Sequence, residues 1–233
     1  MLCEFPDYES LCQAAARNIL LIGQRCVAEH GQFELVLAGG ETPGRVYAIL
    51  AERSRENRKL WEYTHVYWGD ERCVPPDHEQ SNYYMARQAM LDTLRIPASQ
   101  IHRIPAEDPN SHEAAAIYEA IFPQEPDVLL LGMGAEGHTA SLFPGSAALK
   151  ETRRRFVAVE APVEPRRRIT MTPPAIASAR EILVLVSGAD KAGALRRVLS
   201  TAGDFHQTPA RLVRNAVWFV DQDAAKGLTE GKA

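Results

Sequence analysis

The strongest constraint on how this chain can fold is a rhythm of short, β-branched apolar runs separated by stretches of helical period. The runs are FELVLA (33–38), THVYWG (64–69), DVLLLG (127–132), RFVAVE (155–160), EILVLVSG (181–188) and AVWFV (216–220). Several carry apolar residues at successive rather than alternate positions, the pattern of strands covered on both faces. Between them, residues 8–29 place Leu11, Ala15, Ile19, Ile22 and Cys26 on one stripe, and 43–53, 81–94, 111–122 and 189–199 are shorter helical candidates. Strands alternating with helices predict an α/β fold, a mostly parallel, Rossmann-like sheet with helices on both faces. In such sheets ligands sit at the carboxyl ends of the strands, so chemistry is expected in the loops that follow the runs.

No Gly/Ser-rich or Pro-rich linker divides the 233 residues, which read as a single domain, 1–233. A net charge of -4 gives no general electrostatic reason to bind nucleic acid or an anionic membrane surface, and the clusters Arg153–Arg155 and Arg166–Arg168 are only local. Cys3, Cys12, Cys26 and Cys73 lack C-x-x-C spacing and suit a reducing compartment. The start MLCEFPDYES is not a signal peptide, and no apolar stretch is long enough to span a bilayer, so a soluble, cytoplasmic protein is expected.

The run DVLLLG opens into GMGAEGHTASLFPGS, where Gly132, Gly134 and Gly137 spell G-x-G-x-x-G. A dinucleotide cradle would need a full-length helix after the third glycine and an acidic residue about 20 positions on, a place Glu160 could fill. Pro144-Gly145, however, would cut that helix to about two turns. His138, just beyond the glycines, is then the residue of interest, since imidazole is the side chain best suited to proton transfer near neutrality. The other histidines show no metal-binding spacing, so no metal and no cofactor are expected.

Three other loops bear on a ligand. LAGGETPG offers Gly39 and Gly40 for a tight turn, Thr42 as a helix N-cap and Pro43 at the first helical position, either an anion site or a capped turn that binds nothing. GDERCVPPDHEQSN gathers Asp70, Glu71 and Arg72 at a strand end, where they order a polar site or form a surface ion cluster. RRRITM leads Arg168 into a short strand, and LVSGADKA puts Lys191 in the first turn of a helix, where a cation opposes the dipole unless an anion lies between. The residues alone reach a phosphorylated ligand and a poised histidine, and stop short of a reaction.

The blocks AGGETP, GDERCVP with SN, LGMGAEGHTASLFP, RITMT, SGADKA and WFVD, in that order over nearly the whole chain, resemble the 6-phosphogluconolactonase family. The resemblance implies a glucosamine-6-phosphate deaminase-like fold and hydrolysis of 6-phospho-D-glucono-1,5-lactone in the oxidative pentose phosphate pathway. It implies that Gly39, Gly40, Thr42, Arg168 and Lys191 hold the substrate phosphate and that His138 is the general base. It further implies that Arg72 lies near the reacting end, with Asp70 and Glu71 ordering the site. Glu136 stands where the family usually has Asp, which keeps the charge and changes its reach.

A δ-lactone is an activated ester, so metal-free activation of one water by His138 is sufficient chemistry, with Arg72 or glycine-loop N–H groups stabilising the oxyanion. The competing readings are a glucosamine-6-phosphate deaminase/isomerase-like enzyme, a non-catalytic sugar-phosphate-binding module and an oxidoreductase. The deaminase resembles this chain in its loops but uses a carboxylate after the histidine block, and no acid lies between His138 and Glu151. The expected partner is the small-molecule substrate, in a monomer or small homo-oligomer, without nucleic acid or membrane.

Overall fold

The computed structural model describes residues 1–228. The elements run β1 (Leu2–Phe5), α1 (Tyr8–His30), β2 (Phe33–Leu37), α2 (Glu41–Glu52), α3 (Arg58–Glu62), β3 (Thr64–Trp68), β4 (Asp70–Arg72), α4 (Asn82–Ala86), α5 (Asp92–Leu94), α6 (Ser111–Ile121), β5 (Val128–Gly132), β6 (Phe156–Glu160), β7 (Arg167–Met171), α7 (Pro173–Ala177), β8 (Glu181–Val186), α8 (Ala192–Leu199), β9 (Val217–Asp221) and α9 (Gln222–Ala225). Six strands form a wholly parallel sheet in the order β1-β9-β8-β5-β2-β3. Its centre is apolar on both faces, and Val128, Leu129, Leu130 and Leu131 of β5 are all buried, as the unbroken apolar run requires.

Chain direction across the sheet locates the ligand edge. From β2 the chain moves outward to β3, whereas from β5 it moves the other way, through β8 to β9. The order therefore reverses between β5 and β2, and a crevice opens beyond their carboxyl ends. Right-handed crossovers of opposite sense put helices on opposite faces: α1 packs on α2, and α8 lies on the other side. Two buried tyrosines pin the strand ends at this edge. Tyr47 of α2 donates to the Ala38 carbonyl (2.8 Å) and accepts its N–H (2.9 Å), and Tyr118 of α6 does the same for Trp68 (3.1 and 2.8 Å).

Several expectations are corrected. RFVAVE is not part of the parallel sheet; it is β6 of a second, antiparallel sheet, β4-β7-β6. The strands β1 and β4 are additional to those expected. The first is a four-residue edge strand, and the second, Asp-Glu-Arg, has no apolar pattern and is a strand only through pairing with β7. No helix follows the third glycine: residues 133–146 form turns, with Ala140 at φ 47° and a bridge between Thr139 and Leu142. Thr42 is not an N-cap; α2 begins at Glu41 and its N-cap is Gly40, at φ 107°, a conformation glycine adopts without a Cβ clash. Residues 82–94 contain a π-helical turn, Arg87–Leu91, between α4 and α5. Among the described residues no helix is long and apolar enough to cross a membrane.

Candidate active site

Every candidate residue except Glu71 and Glu136 lines one pocket of about 740 Å³ at the switch between β5 and β2. On one wall, the turn after β2 leads through Gly39 and Gly40 into α2, whose first-turn N–H groups lie beyond the reach of any intrahelical carbonyl and present the positive end of the helix dipole. A Cβ on Gly39 would lie 2.1 Å from Asn82 Oδ1, so the turn and the start of α4 pack with no room for a side chain.

The second wall is the β4–β7 pair, where strand alternation explains which residues reach the pocket. Asp70 and Arg72 point into it, and Glu71, between them, points the opposite way. Glu71 is buried and accepts from the backbone N–H groups of Arg72 (2.8 Å), Asn82 (2.7 Å) and Tyr83 (2.8 Å) and from Ser81 Oγ (3.0 Å). Burial pushes its carboxyl up, against the pull of those donors. Its place is the anchor of β4 on α4, behind the pocket wall.

In the β4–β7 register Arg72 stands directly opposite Arg168, and both line the pocket. Like charges across an antiparallel pair are destabilising. Arg168 is 6 % exposed, and burial above all pulls its guanidinium below the usual arginine range. Its Nε donates to the Pro165 carbonyl (2.9 Å) and its Nη1 lies 3.5 Å from Ser141 Oγ. Asp70 is held by Ser141 Oγ (2.6 Å) and Asn82 Nδ2 (3.3 Å), and its charge also attracts the Arg168 guanidinium. Two guanidinium groups side by side in a half-closed cavity call for an anionic or strongly polar guest.

His138 enters from the loop after β5. Its Nδ1 lies 2.8 Å from Glu136 Oε1, and its ring stacks on Phe143 with centroids 4.3 Å apart. A carboxylate only accepts, so Nδ1 carries the proton and Nε2 is the basic nitrogen. Partial burial pushes the Glu136 carboxyl up, but its own backbone N–H and then the charge and hydrogen bond of His138 outweigh this and hold it below the usual range. The glycine at 134 serves this dyad, because a Cβ there would meet His138 Nδ1 at 2.1 Å and Glu136 Oε2 at 2.6 Å. The loop is thus shaped around an imidazole, not a pyrophosphate. The Glu136 side chain reaches the imidazole despite its extra methylene.

Lys191 closes the far side. It lies in a 3-10 turn just before α8, with Nζ 2.8 Å from Asp190 Oδ2, and that acid offsets the conflict between the cation and the helix dipole. Sequence reasoning passed over two residues that shape the site. Asp221, the last residue of WFVD, is buried and accepts from Ser187 Oγ (2.7 Å), Gly188 N (3.1 Å) and Ala224 N (2.8 Å), which fixes the loop carrying Lys191. Asn82 is 1 % exposed and lines the pocket, with Nδ2 on the Asp70 carbonyl (2.9 Å) and Oδ1 without a partner among the described residues. The only signal for either was membership of a quoted block.

Known proteins match this chain in sequence and fold. A model of the family described as glucosamine-6-phosphate isomerases/6-phosphogluconolactonase matches residues 6–220. The 6-phosphogluconolactonase of Mycobacterium tuberculosis is 40% identical over 241 residues, covering 96% of each chain. The solved structure of 6-phosphogluconolactonase from Trypanosoma brucei is similar with a TM-score of 0.87 and 28% identity, covering 98% of each chain. A monomeric glucosamine-6-phosphate deaminase has a TM-score of 0.85 at 22% identity, over 96% of this chain and 98% of its own, a likeness of fold. The family match runs unbroken across both glycine loops, the paired arginines, His138 and Lys191, and the chain belongs to the glucosamine-6-phosphate isomerase/6-phosphogluconolactonase family.

Proposed function

We infer that this chain is an enzyme that hydrolyses 6-phospho-D-glucono-1,5-lactone to 6-phospho-D-gluconate, the lactone-opening step of the oxidative pentose phosphate pathway. The observation that carries the mechanism is the His138–Glu136 pair facing a pocket whose other walls are cationic. His138 Nε2 takes a proton from a water as the oxygen adds to the lactone carbonyl carbon. Arg72 stabilises the oxyanion, and collapse of the tetrahedral intermediate expels the ring oxygen, which receives the proton back from the imidazolium. Glu136 holds the imidazole in the required tautomer and offsets its transient charge.

The substrate phosphate is held by the N-terminus of α2 at Gly39, Gly40 and Thr42, together with Arg168 and Lys191. Fixing it positions the lactone carbon by proximity alone. Asp70 orders the wall through Ser141, and Asn82 holds Asp70 in place through its Nδ2. Four unpaired thiols suit a reducing compartment, and the cytoplasm is the expected place of work. Residues 1–233 act as one domain.

The test is hydrolysis of freshly generated 6-phosphogluconolactone, followed by proton release against the spontaneous rate. Wild type accelerates it, and His138→Ala lowers kcat by about 10²–10⁴ with little change in KM. Lys191→Ala raises KM more than it lowers kcat. Wild-type protein no faster than background would sink the activity; full activity in His138→Ala would leave the activity standing and remove the mechanism.

A further inference from the structure

At the other end of the strands, about 17 Å from the pocket along the five residues of β5, a second group of side chains converges. Cys26 and His30 lie four residues apart on the last turns of α1, a spacing that places both on one face of the helix. Asp127, immediately before β5, faces them. One ligand atom from each of the three lies within 4.8 Å of the others.

The three differ in exposure in a useful way. Cys26 and Asp127 are 5 % and 3 % exposed, while the His30 side chain is 35 % exposed and opens the group to solvent. Asp127 Oδ2 accepts the backbone N–H of Glu34 (2.9 Å), which fixes the carboxylate, and Oδ1 lies 3.1 Å from His30 Nε2. A buried carboxylate needs a positive partner. Of the nearby cations, Arg25 is engaged with Glu181, and Arg180, 57 % exposed, is 3.9 Å from Asp127 and also paired with Glu125. Negative charge accumulates here besides: the C-terminal carbonyls of α1 add the negative end of its dipole. Burial and then Asp127 push the Glu34 carboxyl up, and the same two causes push the Cys26 thiol up to about 11.

We propose that Cys26, His30 and Asp127 form a binding site for a thiophilic divalent cation of the zinc class, separate from the catalytic pocket. Tetrahedral zinc with ligands at about 2.0–2.3 Å needs ligand atoms roughly 3.4–3.8 Å apart, so the 3.1 Å His30–Asp127 contact opens slightly and the wider separations in the group close by up to about 1 Å. Sulfur, imidazole nitrogen and carboxylate oxygen supply three ligands, and a water takes the fourth position. Binding expels the thiol proton of Cys26 to solvent, so one proton or more leaves per metal bound. The simpler alternative is a His30–Asp127 ion pair that ties the end of α1 to β2 and β5, with Cys26 only packed beside it.

Cadmium distinguishes the two, because its thiolate complexes have an ultraviolet charge-transfer band. Chelator-treated protein titrated with Cd²⁺ shows that band saturating at one equivalent, and Zn²⁺ competes it away. Cys26→Ser abolishes the band, and His30→Gln, which keeps an amide donor for the buried Asp127, weakens Cd²⁺ binding at least tenfold. Lactone hydrolysis is unchanged in both variants. The proposal is overturned by absence of the band in wild type, by a band that survives Cys26→Ser and so belongs to Cys3, Cys12 or Cys73, or by equal affinity in His30→Gln.

Discussion

At the residue scale the site turns on one short contact. The 2.8 Å bond between His138 Nδ1 and Glu136 decides which imidazole nitrogen faces the pocket without a proton. The Glu136 side chain is 46% exposed, so its effect on the imidazolium is screened by solvent, unlike that of a fully buried acid. Glu136→Gln is therefore expected to lower kcat by about tenfold, well short of His138→Ala, with KM nearly unchanged. Steady-state kinetics check this, and an unchanged kcat would show that Glu136 has no part in orienting the ring. Stacking on Phe143 fixes the ring plane in Glu136→Gln as in wild type.

At the element scale, what was legible in the sequence was whatever tertiary contacts did not have to create. The strands of the parallel sheet could be read because burial on two faces writes itself as successive apolar residues, as in Val128–Leu131. By contrast β4 could not, because Asp70, Glu71 and Arg72 carry no apolar period and become a strand only against β7. Missing that strand had a cost at the site, since only its alternation separates Asp70 and Arg72, in the pocket, from Glu71, behind it. The glycine loop was legible only in part: Pro144-Gly145 argued against the full helix of a dinucleotide cradle, but its turns are set by contacts the sequence does not display, such as Thr139 Oγ1 on the Gly132 carbonyl and Ser141 N on Thr170 Oγ1. The edge of the sheet carries its own consequence. His65 on β3 and His102 approach through Nδ1 and Nε2 at 3.1 Å, and His102 stacks on Tyr67. Burial pulls both imidazoles below the ordinary value of 6.5, and His65 pulls His102 down further. The unfolded chain then binds more protons than the native one, so stability rises with pH across this window and is lost as pH falls from about 6.5 through the lowered native values. Thermal unfolding from about pH 7 to 5 should show wild type losing more Tm than His102→Gln. Parallel curves would mean that the pair is not a source of acid lability.

At the scale of the whole molecule, the catalytic pocket is a local fault in an otherwise self-consistent fold. The central sheet is apolar and fully paired, while at its ligand edge Arg72 and Arg168 face each other across two strands, and Arg168 is almost wholly buried. Burial and like charge oppose that juxtaposition and outweigh the attraction of Asp70 and Glu71; a bound phosphate ester favours it. Function and stability should therefore separate at Arg168. In Arg168→Met the side chain keeps much of its length and packing against Phe143 and removes a desolvated charge together with its repulsion from Arg72. The ligand-free variant should gain about 1 kcal/mol, or roughly 2–4 °C in Tm for a chain of this size. Wild type, in turn, should be stabilised by 6-phosphogluconate by about 2.7 kcal/mol at a hundredfold excess over Kd, and the variant by almost nothing. Thermal unfolding of both proteins with and without the product measures all four quantities together. If Arg168→Met lowered the ligand-free Tm, the guanidinium would be a structural cation held by Pro165 and Ser141; if the variant were still stabilised by product, the phosphate would rest on Lys191 and the start of α2 alone.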